Sequence, residues 1–246
     1  MNQKENPSGV YLLPNLFTTA SLFAAFYAIV ASFKSQFEAA IIAIFIGMIA
    51  DGLDGRIARL TNTQTAFGAQ YDSLSDMVTF GVAPALLLYS WNLQQLGKFG
   101  WLVAFIYTAA VALRLARFNT KVGTADKRYF QGLACPAAAA LVSSFVWLCQ
   151  QNQTHYLLIS LITAIITILA AVLMVSNIRY YSFKEVDFHG KVPFLYLLFV
   201  VILFVAIAAN PSLILFTGFV IYVLSGPVQL LIKLYRLRKQ KKFFSD

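Results

Sequence analysis

The chain has 246 residues, 59% of them hydrophobic and only 12% charged, with a mean hydropathy of +0.71. That balance excludes a soluble globular domain and fits a helical protein crossing the bilayer several times. A formal charge of +9 would suit nucleic acid in a soluble protein, but basic loops beside anionic lipid account for it here.

About twenty apolar residues cross a bilayer. In chain order, eight stretches qualify: about 12–32, 37–60, 66–90, 98–118, 134–150, 156–178, 192–209 and 211–233. The N-terminus lacks a basic stretch before a short apolar run and lacks a clear small-residue cleavage site, so the first span is expected to stay. The second and third spans lose their apolar character where they face one another. Ala209-Asn210-Pro211-Ser212 reads as a tight turn between the last two. His155 and His189 have no partners at metal-ligand spacing, and there is no zinc signature. Cys135 and Cys149 are fourteen residues apart, roughly 21 Å along a helix, too far for a disulfide, and both read as small core residues. The whole chain reads as one membrane domain, with residues 1–11 and 234–246 outside the bilayer.

Charge placement sets the expected orientation. Lys121, Lys127 and Arg128, then Arg179, Lys184 and Lys191, then Lys233, Arg236, Arg238, Lys239, Lys241 and Lys242 fall on one side of an eight-span layout. Lys34 and Lys98 fall on the other. Both termini are therefore expected in the cytoplasm.

Four of the ten acidic residues lie between positions 51 and 76. Residues i, i+3, i+4 and i+8 share a helix face, so Asp51, Asp54, Gly55, Ala58 and Arg59 form one stripe. Gly68, Asp72 and Asp76 form a second. Lone carboxylates at membrane depth cost several kcal/mol and are usually functional. Four converging ones repel unless cations sit between them. Hard oxygen donors without Cys or His suggest Mg²⁺ or Mn²⁺.

The spacing D-x-x-D-G-x-x-A-R-(x)8-G-x-x-x-D-x-x-x-D carries all eight fixed positions of the CDP-alcohol phosphatidyltransferase signature, and by it the chain resembles that family. The likeness extends to Pro14-Asn15-Leu16-Phe17-Thr18, Ser75 to Ala85, Leu113-Arg114-Leu115-Ala116-Arg117-Phe118-Asn119 and Phe130 to Ala139. Leu173 to Ser176 and Tyr181 to Lys184 add to it. These elements resemble the bacterial phosphatidylserine synthases within the family, with Ala134 standing where proline is expected.

The resemblance implies an all-α bundle of about eight transmembrane helices in the bacterial inner membrane, a homodimer with its active site towards the cytoplasm. CDP-diacylglycerol would be the donor and L-serine the acceptor. Asp51, Asp54, Asp72 and Asp76 would hold two divalent ions, Asp76 serving also as general base. Asn15, Thr18, Gly55, Ala58, Arg59 and Gly68 would line the CDP site, the glycines and alanine by lacking bulk. The carboxylate of serine calls for an arginine fork. Arg114 is the deeper candidate, Arg117 the shallower, and Asn119 and Gln131 could serve the amine or the nucleotide. Arg179, Ser182 and Lys184 are expected at the pocket's edge. The aspartate motif alone leaves glycerol phosphate, inositol phosphate and choline open as acceptors. A divalent-cation transporter is the remote alternative, disfavoured because the aspartates lie near one face and no inverted repeat with broken helices is present.

Overall fold

The computed structural model describes residues 12–61, 63, 65–120, 129–151, 157–181 and 194–243. Lys121, Lys127, Arg128, His155, Ser182, Lys184, His189 and Lys191 lie outside them. The described helices are α1 (Leu12–Phe33), α2 (Phe37–Leu60), α3 (Ala66–Asp76), α4 (Ala83–Trp91), α5 (Lys98–Thr120), α6 (Cys135–Gln151), α7 (Leu157–Val175), α8 (Phe194–Ala209) and α9 (Pro211–Phe243). A π-helical turn, Met77–Val82, joins α3 to α4 into one rod, so these helices match the eight expected spans. By length and composition five of those spans can cross a membrane. Of the other three, α2 carries Asp51, Asp54, Arg56 and Arg59, and α6 and α8 have only 17 and 16 residues.

Small residues let these helices approach closely. Ala24, Ala25, Ala28 and Ala31 of α1 are buried, as are Ala40, Ile41, Ala43, Ile44 and Gly47 of α2. Ser21 Oγ donates to Gly47 O at 2.9 Å across this seam. Residues 137–146 of α6 are all buried, which makes this alanine-rich helix a central axis of the bundle.

Two buried tyrosines donate to helix carbonyls near prolines. Pro84 stands at the start of α4, just after the π turn, and Tyr107 Oη of α5 donates to Phe80 O of that turn at 3.1 Å. Proline has no N–H, so inside an α-helix the carbonyl four residues earlier loses its partner. Pro227 releases Val223 O in α9, and Tyr180 Oη donates to it at 3.0 Å. In hydrocarbon such an orphan would be costly.

Tyr180 belongs to an element the sequence reading did not contain. Two short strands, β1 (Tyr129–Gln131) and β2 (Arg179–Tyr181), pair antiparallel with Phe130 opposite Tyr180 and Gln131 opposite Arg179. Runs of three residues carry too little alternation to stand out beside twenty-residue apolar spans. The only available signal was two aromatic-rich triplets inside polar connections. The two-stranded sheet docks on α9 because Gly226 leaves room for the Tyr180 ring. Burial pushes that phenol up to about 12, so it remains a donor.

Candidate active site at the facing ends of α2 and α3

Thr61 ends α2 by returning its hydroxyl to Ile57 O at 2.8 Å. Thr65 then caps α3, its Oγ1 accepting from Gly68 N at 2.9 Å. The short connection places the C-terminal half of α2 beside α3, and the two carboxylate stripes meet. One oxygen each of Asp51, Asp72 and Asp76 lies within 4.8 Å of the others. All three side chains are half-buried. Asp76 Oδ1 is enclosed without a hydrogen-bond partner among the described residues, which fits an oxygen awaiting a cation. Carboxylate oxygens at this mutual distance form a hard-donor set able to hold a divalent ion.

Asp54 differs from its three companions. It is buried, and its Oδ2 accepts from Thr18 Oγ1 of α1 at 2.7 Å. The sequence reading aimed all four carboxylates at one point. The structure gathers three of them and turns the fourth towards α1. Thr18 is thereby a direct support of Asp54.

The expected nucleotide-facing positions lie along the same groove. A Cβ built on Gly55 meets nothing within 4 Å, so this face of α2 is open. One built on Gly68 comes to 3.4 Å from Asn15 Oδ1, which sets Asn15 of α1 against α3. Thr19 and Tyr71 share a hydrogen bond of 2.9 Å along the same contact. Ala58 is half-buried. Arg59 is exposed, and its Nε donates back to Gly55 O at 2.9 Å.

The acceptor candidates separate. Arg114 of α5 points inward: Nη1 donates to Cys135 Sγ at 3.2 Å, and the enclosed Nε has no hydrogen-bond partner among the described residues. Cys135 is fully buried and is an electrostatic neighbour of both Asp51 and Asp76. Arg114 and the carboxylate cluster thus have Cys135 as a common neighbour. Arg117 is committed elsewhere. Its Nη1 donates to Val175 O at 3.1 Å and Ser176 O at 3.4 Å, and its Nη2 to Asn177 Oδ1. It closes the carbonyl end of α7. Asn119 Nδ2 donates to Ser73 Oγ at 3.0 Å, tying the end of α5 to α3. Gln131 is exposed on β1, opposite Arg179.

Sequence reasoning took Cys135 for a plain core residue, and it missed Tyr222. Cys135 meets Arg114 directly, and Tyr222 of α9 is an electrostatic neighbour of the same guanidinium. No local pattern could have revealed this, because the three residues lie on three different helices.

A family model described as CDP-alcohol phosphatidyltransferase matches residues 11–175. A protein of Helicobacter pylori named CDP-diacylglycerol–serine O-phosphatidyltransferase is 43% identical over 199 residues, covering 80% of this chain and 83% of its own. A protein of that name from Methanocaldococcus jannaschii is 42% identical over 137 residues, 56% and 61% of the two chains. An archaetidylserine synthase of Methanothermobacter thermautotrophicus is 35% identical over 182 residues, 73% of each.

Proposed function

The chain belongs to the CDP-alcohol phosphatidyltransferase family, and we propose from this that it transfers the phosphatidyl group of CDP-diacylglycerol to the hydroxyl of L-serine. The products are phosphatidylserine and CMP. The observation carrying the chemistry is the convergence of Asp51, Asp72 and Asp76 within 4.8 Å. The acceptor follows the names of the similar proteins.

Asp51, Asp54, Asp72 and Asp76 would hold two divalent ions, Mg²⁺ or Mn²⁺, with Thr18 supporting Asp54. When bound, such ions neutralise the diphosphate and stabilise the departing phosphate oxygen. The open face of α2 at Gly55 and Ala58, closed by Asn15, Thr18, Arg59 and Gly68, receives the cytidine diphosphate. Arg114 binds the serine carboxylate and directs its hydroxyl towards the β-phosphorus. Asp76 takes the proton from serine Oγ as that oxygen attacks. The new Oγ–phosphorus bond forms, the bond to the bridging diphosphate oxygen breaks, and CMP leaves with the electron pair. Asn119 and Gln131 are assigned to the pocket's outer edge, where the amine enters. Arg117 contributes by holding the end of α7 beneath it.

Residues 1–246 form a single membrane domain in this reading. The enzyme is a homodimer of the bacterial plasma membrane, with both termini and the site facing the cytoplasm. The basic residues of β2 and α9 support that orientation. A cysteine introduced at Lys98 should react with an impermeant reagent from outside, and one at Lys233 only from inside.

The decisive experiment is an acceptor panel with purified enzyme. Labelled CMP should be released from CDP-diacylglycerol on adding serine, with phosphatidylserine as the lipid product. Release driven by glycerol phosphate, inositol phosphate or choline, and not by serine, would reassign the acceptor. Metal uptake with no release from any acceptor would favour transport.

A further inference from the structure

Arg114 is held by an unusual partner. A guanidinium carries five N–H donors and binds carboxylates strongly, whereas a thiol is a weak acceptor. Yet the side chain meeting Arg114 Nη1, at 3.2 Å, is Cys135 Sγ. Nε of the same guanidinium is enclosed without a hydrogen-bond partner among the described residues. A half-buried fork held by so weak an acceptor is set up to take a better one.

The sulfur is also rigidly placed. Cys135 is the first residue of α6 and is fully buried. The two residues before Ala134 are clamped to the end of α7: Gly132 N donates to Ile178 O at 2.8 Å and Leu133 N to Leu173 O at 3.0 Å. Gly132 has a φ of +78°, and a Cβ there would fall 2.2 Å from Met174 O. The approach is therefore too close for any other residue. The chain enters α6 along one path, and Sγ is delivered to Arg114 Nη1 on the side of the bundle that also holds Asp51 and Asp76.

We propose that Cys135 is a positioning residue of the acceptor pocket, its thiol aiming the Arg114 guanidinium at the place of the serine carboxylate and yielding it when that carboxylate arrives. The proposal rests on serine being the acceptor. A fixed carboxylate at position 135 would occupy the fork permanently. An apolar side chain would leave the fork free to turn towards Asp51 or Asp76. A thiol is strong enough to orient it and weak enough to be displaced.

The test is steady-state kinetics of the full-length enzyme in mixed micelles, titrating serine and CDP-diacylglycerol separately. Cys135→Ala should raise the serine KM at least about fivefold while kcat falls less than about twofold and the donor KM stays near that of the wild type. Cys135→Val fills the volume without an acceptor and should behave alike, which separates the role from packing and covers poor folding of the alanine variant. Cys135→Ser keeps an acceptor and should bring the serine KM back within about twofold of wild type. An unchanged serine KM in both apolar variants would overturn the proposal. So would a parallel rise in donor KM, or a serine KM in Cys135→Ser as high as in the apolar variants. Wild-type enzyme that releases no CMP with serine would instead refute the acceptor reading itself.

Discussion

Thr18 and Asp54 meet across the α1–α2 seam. The hydroxyl donates to Oδ2 at 2.7 Å, and the two side chains are only 3% and 5% exposed. Hydrogen bonds that orient a ligating carboxylate typically matter 10- to 100-fold to metal affinity or activity. Thr18→Val removes the donor and preserves the shape. About tenfold more Mg²⁺ or Mn²⁺ should then be needed for half-maximal activity. An unchanged metal dependence would reduce Thr18 to a packing residue.

Asp51 and Asp76 share the carboxylate cluster but differ in assigned role. Asp51→Asn and Asp72→Asn should abolish turnover while the protein still inserts. Asp76→Asn should also abolish turnover, yet weaken CDP-diacylglycerol binding less than Asp51→Asn does. A base acts mainly in the transition state, whereas a ligand acts in both states. Equal loss of donor binding, measured directly with the two variants, would make Asp76 chiefly a ligand.

Gly55 separates fold from function. Its Cβ position is open, so Gly55→Ala should not destabilise the protein, and removing glycine from a helix interior favours folding by about 0.5–1 kcal/mol. Donor affinity should move the other way, Gly55→Leu raising the CDP-diacylglycerol KM more than alanine does, because the proposed nucleotide site lies against this backbone. Arg59→Ala should raise the donor KM as well. Normal donor kinetics in Gly55→Leu would remove the nucleotide from this face.

Arg114 carries the acceptor assignment. Losing a charge-assisted contact costs roughly 2–5 kcal/mol when fully buried and less for the half-buried Arg114, so Arg114→Ala should raise the serine KM about tenfold with donor binding little changed. Arg114→Lys should rescue only in part, since a point charge cannot reproduce the fork. Ethanolamine, which lacks the carboxylate, should be a poor acceptor. Ethanolamine used as well as serine would contradict this pocket.

The anchor of the two-stranded sheet should be visible in stability. Tyr180→Phe leaves Val223 O with neither the Pro227 N–H nor the phenol, a loss of about 1–3 kcal/mol. Gly226→Ala puts a methyl 2.4 Å from the Tyr180 ring and should lower the unfolding temperature further. Thermal unfolding in detergent reads both, and identical melting of Gly226→Ala and wild type would show that the ring can move aside.

Much of this protein was already determined one-dimensionally. Helix periodicity put Asp51 with Asp54 and Asp72 with Asp76, since i, i+3 and i+4 neighbours share a face whatever the tertiary fold. Apolar length marked the spans, because the bilayer imposes it. The family signature lies within one pair of consecutive helices, where local geometry suffices. Tertiary structure decided what depends on distant segments meeting. It turned Asp54 to Thr18, committed Arg117 to the end of α7, and set Cys135 against Arg114. It also set Tyr107 against Phe80 O in the π turn and Tyr180 against Val223 O, released by Pro227. Each of these is a hydrogen bond between segments far apart in the chain. Its partner is chosen by packing, because a polar group sealed from water must take whatever donor or acceptor the fold brings to it.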